Sequence, residues 1–482
     1  MIQTAERQEK DTDMAEYDLI VIGAGPGGYS AAIAAAQHGM KAALVEKRDI
    51  GGTCLNRGCI PTKTLIHLSD LVRDLHAETA AGVLQGDISC NFEKLYERKN
   101  EVTKTLQDGI LALLKGNGVD IYQGEAKVAG PDTVVVSGPE GEQKLSCARV
   151  MIAAGSRPSR LPVPGADLPG IYDSDSFFEH LPHRPGRLAV VGGGVIGVEI
   201  ASIYEALGFE VTILEMLPKL LGPMDKELAQ NLSMIMKKRG VRVETGAAVS
   251  GFSMEQDQLT VHYANKQGDQ ELPADWVLVC TGRRAAAENL FDESCMPKIE
   301  RGIVVDEHFE STIPGIYAIG DVTAGEMKLA HMAEAQAVCA VEYMAGKNPS
   351  INLSVVPSVV YTSPEIAAVG LSEEEARQTG FTAKSSKATM YGNAKTLIAR
   401  QERSFMKIIY EEGSGIVLGA QLMCAHASDI IGEFAAAVAK KLTIEDMASI
   451  IRAHPTFAEA ATDVYDTALG HSIRSMPKKT AR

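Results

Sequence analysis

Apolar positions along the chain gather in short runs that end in glycine. Tyr17-Asp-Leu-Ile-Val-Ile22 is almost wholly apolar and runs straight into Gly-Ala-Gly-Pro-Gly-Gly28. This predicts a buried strand feeding a glycine turn. A small-residue helix is expected from Ser30 to His38, then a second strand at Ala42-Ala-Leu-Val-Glu46. Arg187-Leu-Ala-Val-Val191 repeats the first run and leads into Gly-Gly-Gly-Val-Ile-Gly197. A helix is expected there from Val198 to Leu207, and a strand at Val211-Thr-Ile-Leu-Glu215. From first glycine to closing glutamate the spacing is 23 residues in both copies, Gly23 to Glu46 and Gly192 to Glu215. Two copies of one βαβ unit imply two nucleotide-binding domains.

Between the copies, residues 64–118 carry helical periodicity and 119–153 read as short strands. Ala153-Ala-Gly-Ser-Arg-Pro158 is a turn-rich exit, matched in the second copy by Cys280-Thr-Gly-Arg-Arg284. Ile313-Pro-Gly-Ile-Tyr-Ala-Ile-Gly-Asp321 reads as a strand ending in Gly-Asp, with an alanine-rich helix over 331–345. From about 351 onward, strand-like and helical stretches alternate without another nucleotide motif. The fold class expected is α/β: two Rossmann-like dinucleotide-binding domains plus a C-terminal α+β domain suited to self-association. The boundaries are a frayed extension at 1–16, a first nucleotide domain at 17–157 and 281–350, a second at 158–280, and an interface domain at 351–482.

The length of 482 residues fits roughly three domains. Hydrophobic residues at 45% and charged residues at 23% are ordinary for a globular protein. A net charge of −15 argues against nucleic acid or an anionic membrane as partner. No apolar run approaches the roughly 18 residues of a membrane span. The polar, acid-containing first 16 residues suit neither a secretory signal nor a transit peptide. The basic end, with Arg474, Lys478, Lys479 and Arg482, reads as a solvated tail. Eight cysteines scattered through so long a chain are not a secreted disulfide framework, and a cytoplasmic setting is expected.

The candidate chemistry begins with Gly23-x-Gly25-x-x-Gly28. Gly23 permits the tight turn, Gly25 lets a pyrophosphate approach the backbone, and Gly28 lets helix and strand pack closely. The helix N-terminus offers N–H groups to the diphosphate, and Glu46 offers a carboxylate to a ribose hydroxyl. Gly192, Gly194, Gly197 and Glu215 repeat the arrangement. A glutamate at that strand end repels a 2′-phosphate, and the next dozen residues hold Lys219 but no arginine, so NAD is favoured over NADP.

Cys54-Leu-Asn-Arg-Gly-Cys59 is the reactive candidate. The alternatives are two packed thiols or half of a metal site, which would need two more ligands where only His67 is near. Residues five apart in a regular helix stand about 8–9 Å apart at Cα, whereas a disulfide wants about 4.4–6.8 Å. Bridging them therefore requires distorted backbone, and Gly58 and Pro61 flank the site where distortion is easiest. A strained bridge is easily reduced, which suits turnover. Passing hydride from a nicotinamide to a disulfide needs a mediator, so the first pocket is expected to hold FAD and the second NAD.

Gly51-Gly-Thr-Cys-Leu-Asn-Arg-Gly-Cys-Ile-Pro-Thr-Lys63 resembles the active-site motif of the pyridine nucleotide–disulfide oxidoreductases, and among them the branch that oxidises dihydrolipoamide. Gly320-Asp321, Leu329-Ala-His331 and Ala453-His-Pro-Thr456 with Glu459 support the likeness, which runs from about residue 17 to about 475. The resemblance implies that Cys54 exchanges with the substrate disulfide and that Cys59 faces the flavin. It implies FAD contacts at Lys63, Gly124, Asp321, Leu329, Ala330 and His331, with Lys63 paired to Glu199. It implies NAD contacts at Glu199, Val249 and Gly282, beside the second glycine turn. His454 and Glu459 are implied to form the acid–base pair, with the histidine reaching the cysteines of a second subunit in a homodimer. No metal is implied. An imidazole titrates where a thiol must lose its proton, and a carboxylate fixes its tautomer. Pro455 predicts a helix starting at that point. Many relatives carry histidine where Arg452 stands, a departure not expected to change the reaction but able to alter local charge at the substrate mouth.

The activity so implied is oxidation of dihydrolipoamide, carried on a lipoyl domain, with reduction of NAD, within a 2-oxo acid dehydrogenase or glycine-cleavage assembly. The nearest rival is an NAD(P)H-dependent reductase of glutathione or a similar disulfide, which Glu215 disfavours. A redox-sensing binding protein would have no use for a proton shuttle at His454 and Glu459.

Overall fold

The computed structural model describes residues 16–325 and 327–474. Of the expected extension only Glu16 is among them, and Lys478, Lys479 and Arg482 of the basic tail lie outside the described residues. The described residues divide into two compact units, one within 1–56, 105–157 and 284–351, the other within 57–104, 158–283 and 352–482.

The first unit is built on a five-stranded parallel sheet in the order Ile316–Ala318, Val150–Ile152, Leu19–Ile22, Ala42–Glu46, Asp120–Gln123. The strands are apolar on both faces because both faces are covered, and Leu19, Ile20, Val21 and Leu44 are fully buried. Helix Pro26–Gln37 packs on helix Ala330–Met344; Ala31, Ala32, Ala35, Ala333, Ala337 and Ala340 are buried, and a Cβ on Gly27 would lie 3.2 Å from the Ala333 carbonyl oxygen. Small side chains let the two backbones approach closely. A three-stranded antiparallel sheet (Glu125–Gly130, Thr133–Gly138, Gly141–Ser146) completes the unit.

The second unit holds the repeat. Its parallel sheet runs Arg242–Thr245, Glu210–Glu215, Arg187–Val191, Trp276–Val279, Ile171–Asp173. Helix Cys59–Ala80 packs on helix Val195–Ala206, with Leu65 buried in the same core as Val198 and Ile203. The C-terminal part is a five-stranded antiparallel sheet: Ser358–Val360, Glu365–Gly370, Val417–Cys424, Phe405–Glu411, Ala383–Thr389. Helices Ala427–Lys440 and Ala460–Leu469 pack on it through Ile431, Phe434, Val464 and Tyr465. Among the described residues no helix is long and apolar enough to cross a membrane.

The repeat is present at the expected strands, and both helices begin earlier than periodicity indicates, at Pro26 and Val195. The last residues of each glycine turn already belong to the first helical turn, where Pro26 loses nothing by lacking an N–H.

Candidate active site

Each glycine turn is shaped by steric necessity. Gly23 has φ +100°, and a Cβ there would lie 2.5 Å from the Ala153 carbonyl oxygen. A Cβ on Gly28 would lie 1.8 Å from the Gly23 oxygen. The same closures recur at Gly192 (φ +114°, 2.6 Å from the Cys280 oxygen) and Gly197 (2.0 Å from the Gly192 oxygen). The middle glycines differ: among the described residues nothing lies within 4 Å of a Cβ built on Gly25 or Gly194. Each of these is the N-cap of the following helix, whose first-turn N–H groups have no intrahelical acceptor and suit a diphosphate.

The glutamates do more than await a ribose. Glu46 is 9% exposed, its Oε2 accepts the Ala24 N–H at 2.7 Å, and its Oε1 accepts the Arg48 N–H at 2.7 Å. Glu215 repeats this with the Gly193 N–H at 2.5 Å and the Leu217 N–H at 2.7 Å. Each carboxylate thus ties its strand end to its own glycine turn, with lone pairs left over for hydroxyl donors. Lys219, the nearby cation, donates to the Met224 carbonyl. Val249 is half-buried on strand Ala248–Glu255, and the carbonyl of Gly282 (φ +126°) accepts the Ser159 N–H at 2.9 Å.

In the first unit Asp321 sits in the one-turn helix Gly320–Val322, where its Oδ2 accepts from Ser156 Oγ at 2.6 Å. Lys328 donates to its backbone carbonyl at 2.8 Å. Leu329 is the N-cap and Ala330 the first residue of helix Ala330–Met344, and His331 is exposed. The Gly124 N–H donates to the Glu46 carbonyl at 2.9 Å.

Cys54 lies in the short helix Gly52–Arg57, tied to the first glycine turn through the Gly51 N–H and the Ala24 carbonyl at 2.8 Å. Cys59 opens helix Cys59–Ala80. Between them the backbone breaks at Gly58 (φ −140°, ψ −111°), the position where distortion is easiest. Asn56 closes the short helix by donating to the Ile50 and Gly52 carbonyls, and Thr62 Oγ1 donates to the Gly58 carbonyl at 2.6 Å. Both cysteines are half-buried. Of the others, Cys147, Cys295, Cys339 and Cys424 are buried, and burial pushes the Cys147 and Cys424 thiols up to about 12. Among the described residues no group of three metal-ligating side chains gathers.

One turn beyond Cys59, Lys63 Nζ lies 2.7 Å from Oε2 of the buried Glu199. The other oxygen of Glu199 accepts the Tyr361 N–H at 2.9 Å, and the ammonium stands 4.5 Å from the centre of the Tyr361 ring. Tyr361 escaped sequence reading, because nothing in its surroundings marks a tyrosine so distant along the chain.

His454 and Glu459 are adjacent: Nδ1 lies 2.8 Å from Oε2. The imidazole is 67% exposed and the carboxylate 7%, so Nε2 faces outward while its partner is anchored inside. Helix initiation at Pro455 is corrected: residues 454–459 form bends and a turn, and the helix begins at Ala460. Thr456 explains this locally. Its hydroxyl donates to the Ala453 carbonyl at 2.8 Å and accepts the Glu459 N–H at 3.2 Å, while Asn393 takes its carbonyl at 3.0 Å. These bonds compete with a helical ladder.

The expectation for Arg452 is also corrected. Its side chain is 5% exposed and paired with Glu433, and it donates to Thr462 Oγ1 at 3.0 Å and to the Met447 carbonyl at 3.2 Å. A guanidinium packed 5.6 Å from the Tyr465 ring presents no charge at the surface.

Residues 17–337 match the family model described as pyridine nucleotide-disulphide oxidoreductase, and 356–465 match that family's dimerisation domain. The chain belongs to this family. A dihydrolipoyl dehydrogenase of Geobacillus stearothermophilus is 37% identical over 470 residues, covering 96% of this chain and 98% of its own. One from Staphylococcus aureus is 38% identical over 464 residues, again covering 96% and 98%. Among solved structures, a Cu(II) complex of the HOCl-induced flavoprotein disulfide reductase RclA from Escherichia coli matches with TM-score 0.84 and 29% identity. It covers 94% of this chain and all of its own. The exposed Tyr391, Leu397, Ile398 and Ile451 of the C-terminal part lie on this dimerisation domain.

Proposed function

We propose that the chain is a homodimeric, FAD-containing dihydrolipoyl dehydrogenase that oxidises dihydrolipoamide to lipoamide and reduces NAD. The observation that carries this reading is the His454–Glu459 pair, an exposed imidazole on a buried carboxylate, in a chain whose other segments supply two dinucleotide turns and a dithiol. Near-full-length likeness to two dihydrolipoyl dehydrogenases supports it.

Gly23, Gly25, Gly28 and Glu46 would hold the FAD diphosphate and ribose, and Gly124, Asp321, Leu329, Ala330 and His331 would contribute further contacts to FAD. Gly192, Gly194, Gly197, Glu215, Val249 and Gly282 hold NAD. When bound, the flavin carries electron pairs between the dithiol and the nicotinamide. Lys63, held by Glu199, would lie near the flavin ring. Dihydrolipoamide enters beside a histidine supplied by the partner subunit, the counterpart of His454. That imidazole takes the proton from one substrate thiol, and the resulting thiolate attacks Cys54 of the Cys54–Cys59 disulfide. Cys59 leaves as a thiolate. The imidazolium returns its proton to the Cys54 sulfur as the second substrate thiol, deprotonated in turn by the imidazole, displaces Cys54 and closes the lipoamide ring; the second proton stays on the imidazole, balancing the Cys59 thiolate. One dithiol is oxidised and one disulfide reduced.

Glu215 and the occupied Lys219 support NAD over NADP. The substrate arrives on a lipoyl domain of a 2-oxo acid dehydrogenase or glycine-cleavage assembly, in the cytoplasm. Parallel turnover assays with lipoamide and glutathione, each with NADH and NADPH, test the proposal. It requires lipoamide with NADH to dominate; preference for glutathione would replace it with the rival reductase.

A further inference from the structure

The Glu459 carboxylate is held by more than its histidine. Asn393 is 7% exposed and lies 66 residues earlier in the chain, at the N-cap of the short helix Ala394–Ile398. Its Oδ1 accepts both the Thr396 N–H at 2.9 Å and the Thr396 hydroxyl at 3.0 Å. Those two donors fix which way the amide is turned. Nδ2 must then face the opposite side, where it meets the Thr456 carbonyl at 3.0 Å and Glu459 Oε1 at 3.4 Å. Both of its contacts belong to the loop that carries His454. One amide therefore holds the loop backbone and the oxygen of Glu459 that the imidazole does not use.

We propose that Asn393 is a positioning residue for the acid–base pair, holding Glu459 so that Oε2 is presented to His454 Nδ1. This rests on the catalytic reading of that pair. A donor on Oε1 leaves Oε2 turned toward the imidazole, where it keeps the ring proton on Nδ1 and leaves Nε2 to exchange protons with substrate.

Other charges surround the pair. Arg474 Nη2 lies 3.7 Å from Glu459 Oε2, and its Nη1 lies 3.4 Å from Asp463 Oδ1. Burial pushes the Asp463 carboxyl up and Arg474 opposes this. Arg452, two residues before His454, is compensated by Glu433. The helix after Asn393 carries Lys395, and Arg400 just beyond it pairs with Glu78. None of these is changed by a substitution at 393.

The test uses the full-length holoenzyme with Asn393→Asp and Asn393→Ser, both of which keep an acceptor for the Thr396 N–H. The profile of kcat/KM for dihydrolipoamide against pH is measured beside Tm. Asn393→Asp places negative charge against Glu459 and favours the imidazolium, so the acid limb is expected to rise by about one pH unit. In the lipoamide-reducing direction the basic limb moves the same way. Asn393→Ser removes the donor without adding charge and is expected to lower kcat/KM about tenfold with KM for NAD unchanged. An Asn393→Asp profile with unshifted limbs, whatever its height, overturns the proposal. Should that variant fail to fold, wild-type kcat/KM in Asn393→Ser overturns it. His454→Gln separates the two layers: full activity in that variant removes the catalytic reading itself, whereas its loss together with unshifted Asn393→Asp limbs removes only the positioning role.

Discussion

Glu215 accepts the N–H of Gly193 at 2.5 Å, so the residue that closes the second βαβ unit is bonded to the turn that opens it. The Leu217 N–H takes the other oxygen at 2.7 Å. Replacing Glu215 by alanine should therefore loosen the glycine turn as well as remove a ribose acceptor. We expect the Kd for NAD to rise about tenfold or more without any gain in NADP use. Titrating both nucleotides into the purified variant checks this; efficient NADP binding after that single change would contradict it.

Glu459→Gln preserves the shape of the dyad and removes its charge. The exposed imidazole would keep a hydrogen-bond partner but lose the carboxylate that fixes its tautomer. Dihydrolipoamide turnover is expected to fall about 100-fold, within the span general acid–base groups contribute, while bound FAD and Tm stay near wild type. Steady-state kinetics and the flavin absorbance together decide it.

Arg452 carries a structural prediction. Its guanidinium ties Glu433, Thr462 and the Met447 carbonyl together inside the C-terminal part. Arg452→Met leaves Glu433 unpaired and should cost about 3 kcal/mol, as breaking buried pairs does. The double variant with Glu433→Leu should recover much of that loss, as thermal or urea unfolding would reveal. Equal stability of the single and double variants would show that the pair is not coupled.

Acid stability depends on Asp225. Burial pushes its carboxyl up, but the Glu227 N–H and the Lys407 ammonium at 3.1 Å outweigh it, and the group sits below the usual carboxylate range. A depressed folded value means stability that is present above the ordinary carboxylate range and lost as pH falls through the folded value. Asp225→Asn should lower Tm at neutral pH and flatten the decline of Tm below about pH 4. A decline as steep as in the wild type would remove Asp225 from the acid response.

Both βαβ units were legible in the sequence because their information is local: apolar runs, glycines and a closing glutamate within 23 residues. Strand Ala42–Glu46 lies where its pattern places it. The early helix starts at Pro26 and Val195 were hidden because glycine-rich positions read as loop. The second role of Glu46 and Glu215, binding their own turns, was invisible to a reading that assigned each carboxylate one partner. At the C-terminal end the residues were visible and their surroundings were not. Pro455 signalled a helix that Thr456 and Asn393 prevent by offering the backbone other bonds. Arg452 looked like surface charge until Glu433 and Tyr465 were seen to enclose it. Asn393 carries only a helix-cap signal locally, and its contact with Glu459 arises from packing across 66 residues.

The central claim is that sulfur at positions 54 and 59 passes electrons between lipoamide and the nicotinamide. Its most direct test is NADH–lipoamide turnover by full-length Cys54→Ser, with FAD content measured on the same sample. The account predicts a yellow, folded protein with bound FAD whose lipoamide reduction falls at least 1,000-fold, on the order expected for loss of a catalytic nucleophile. Turnover at the wild-type rate in that variant would contradict it.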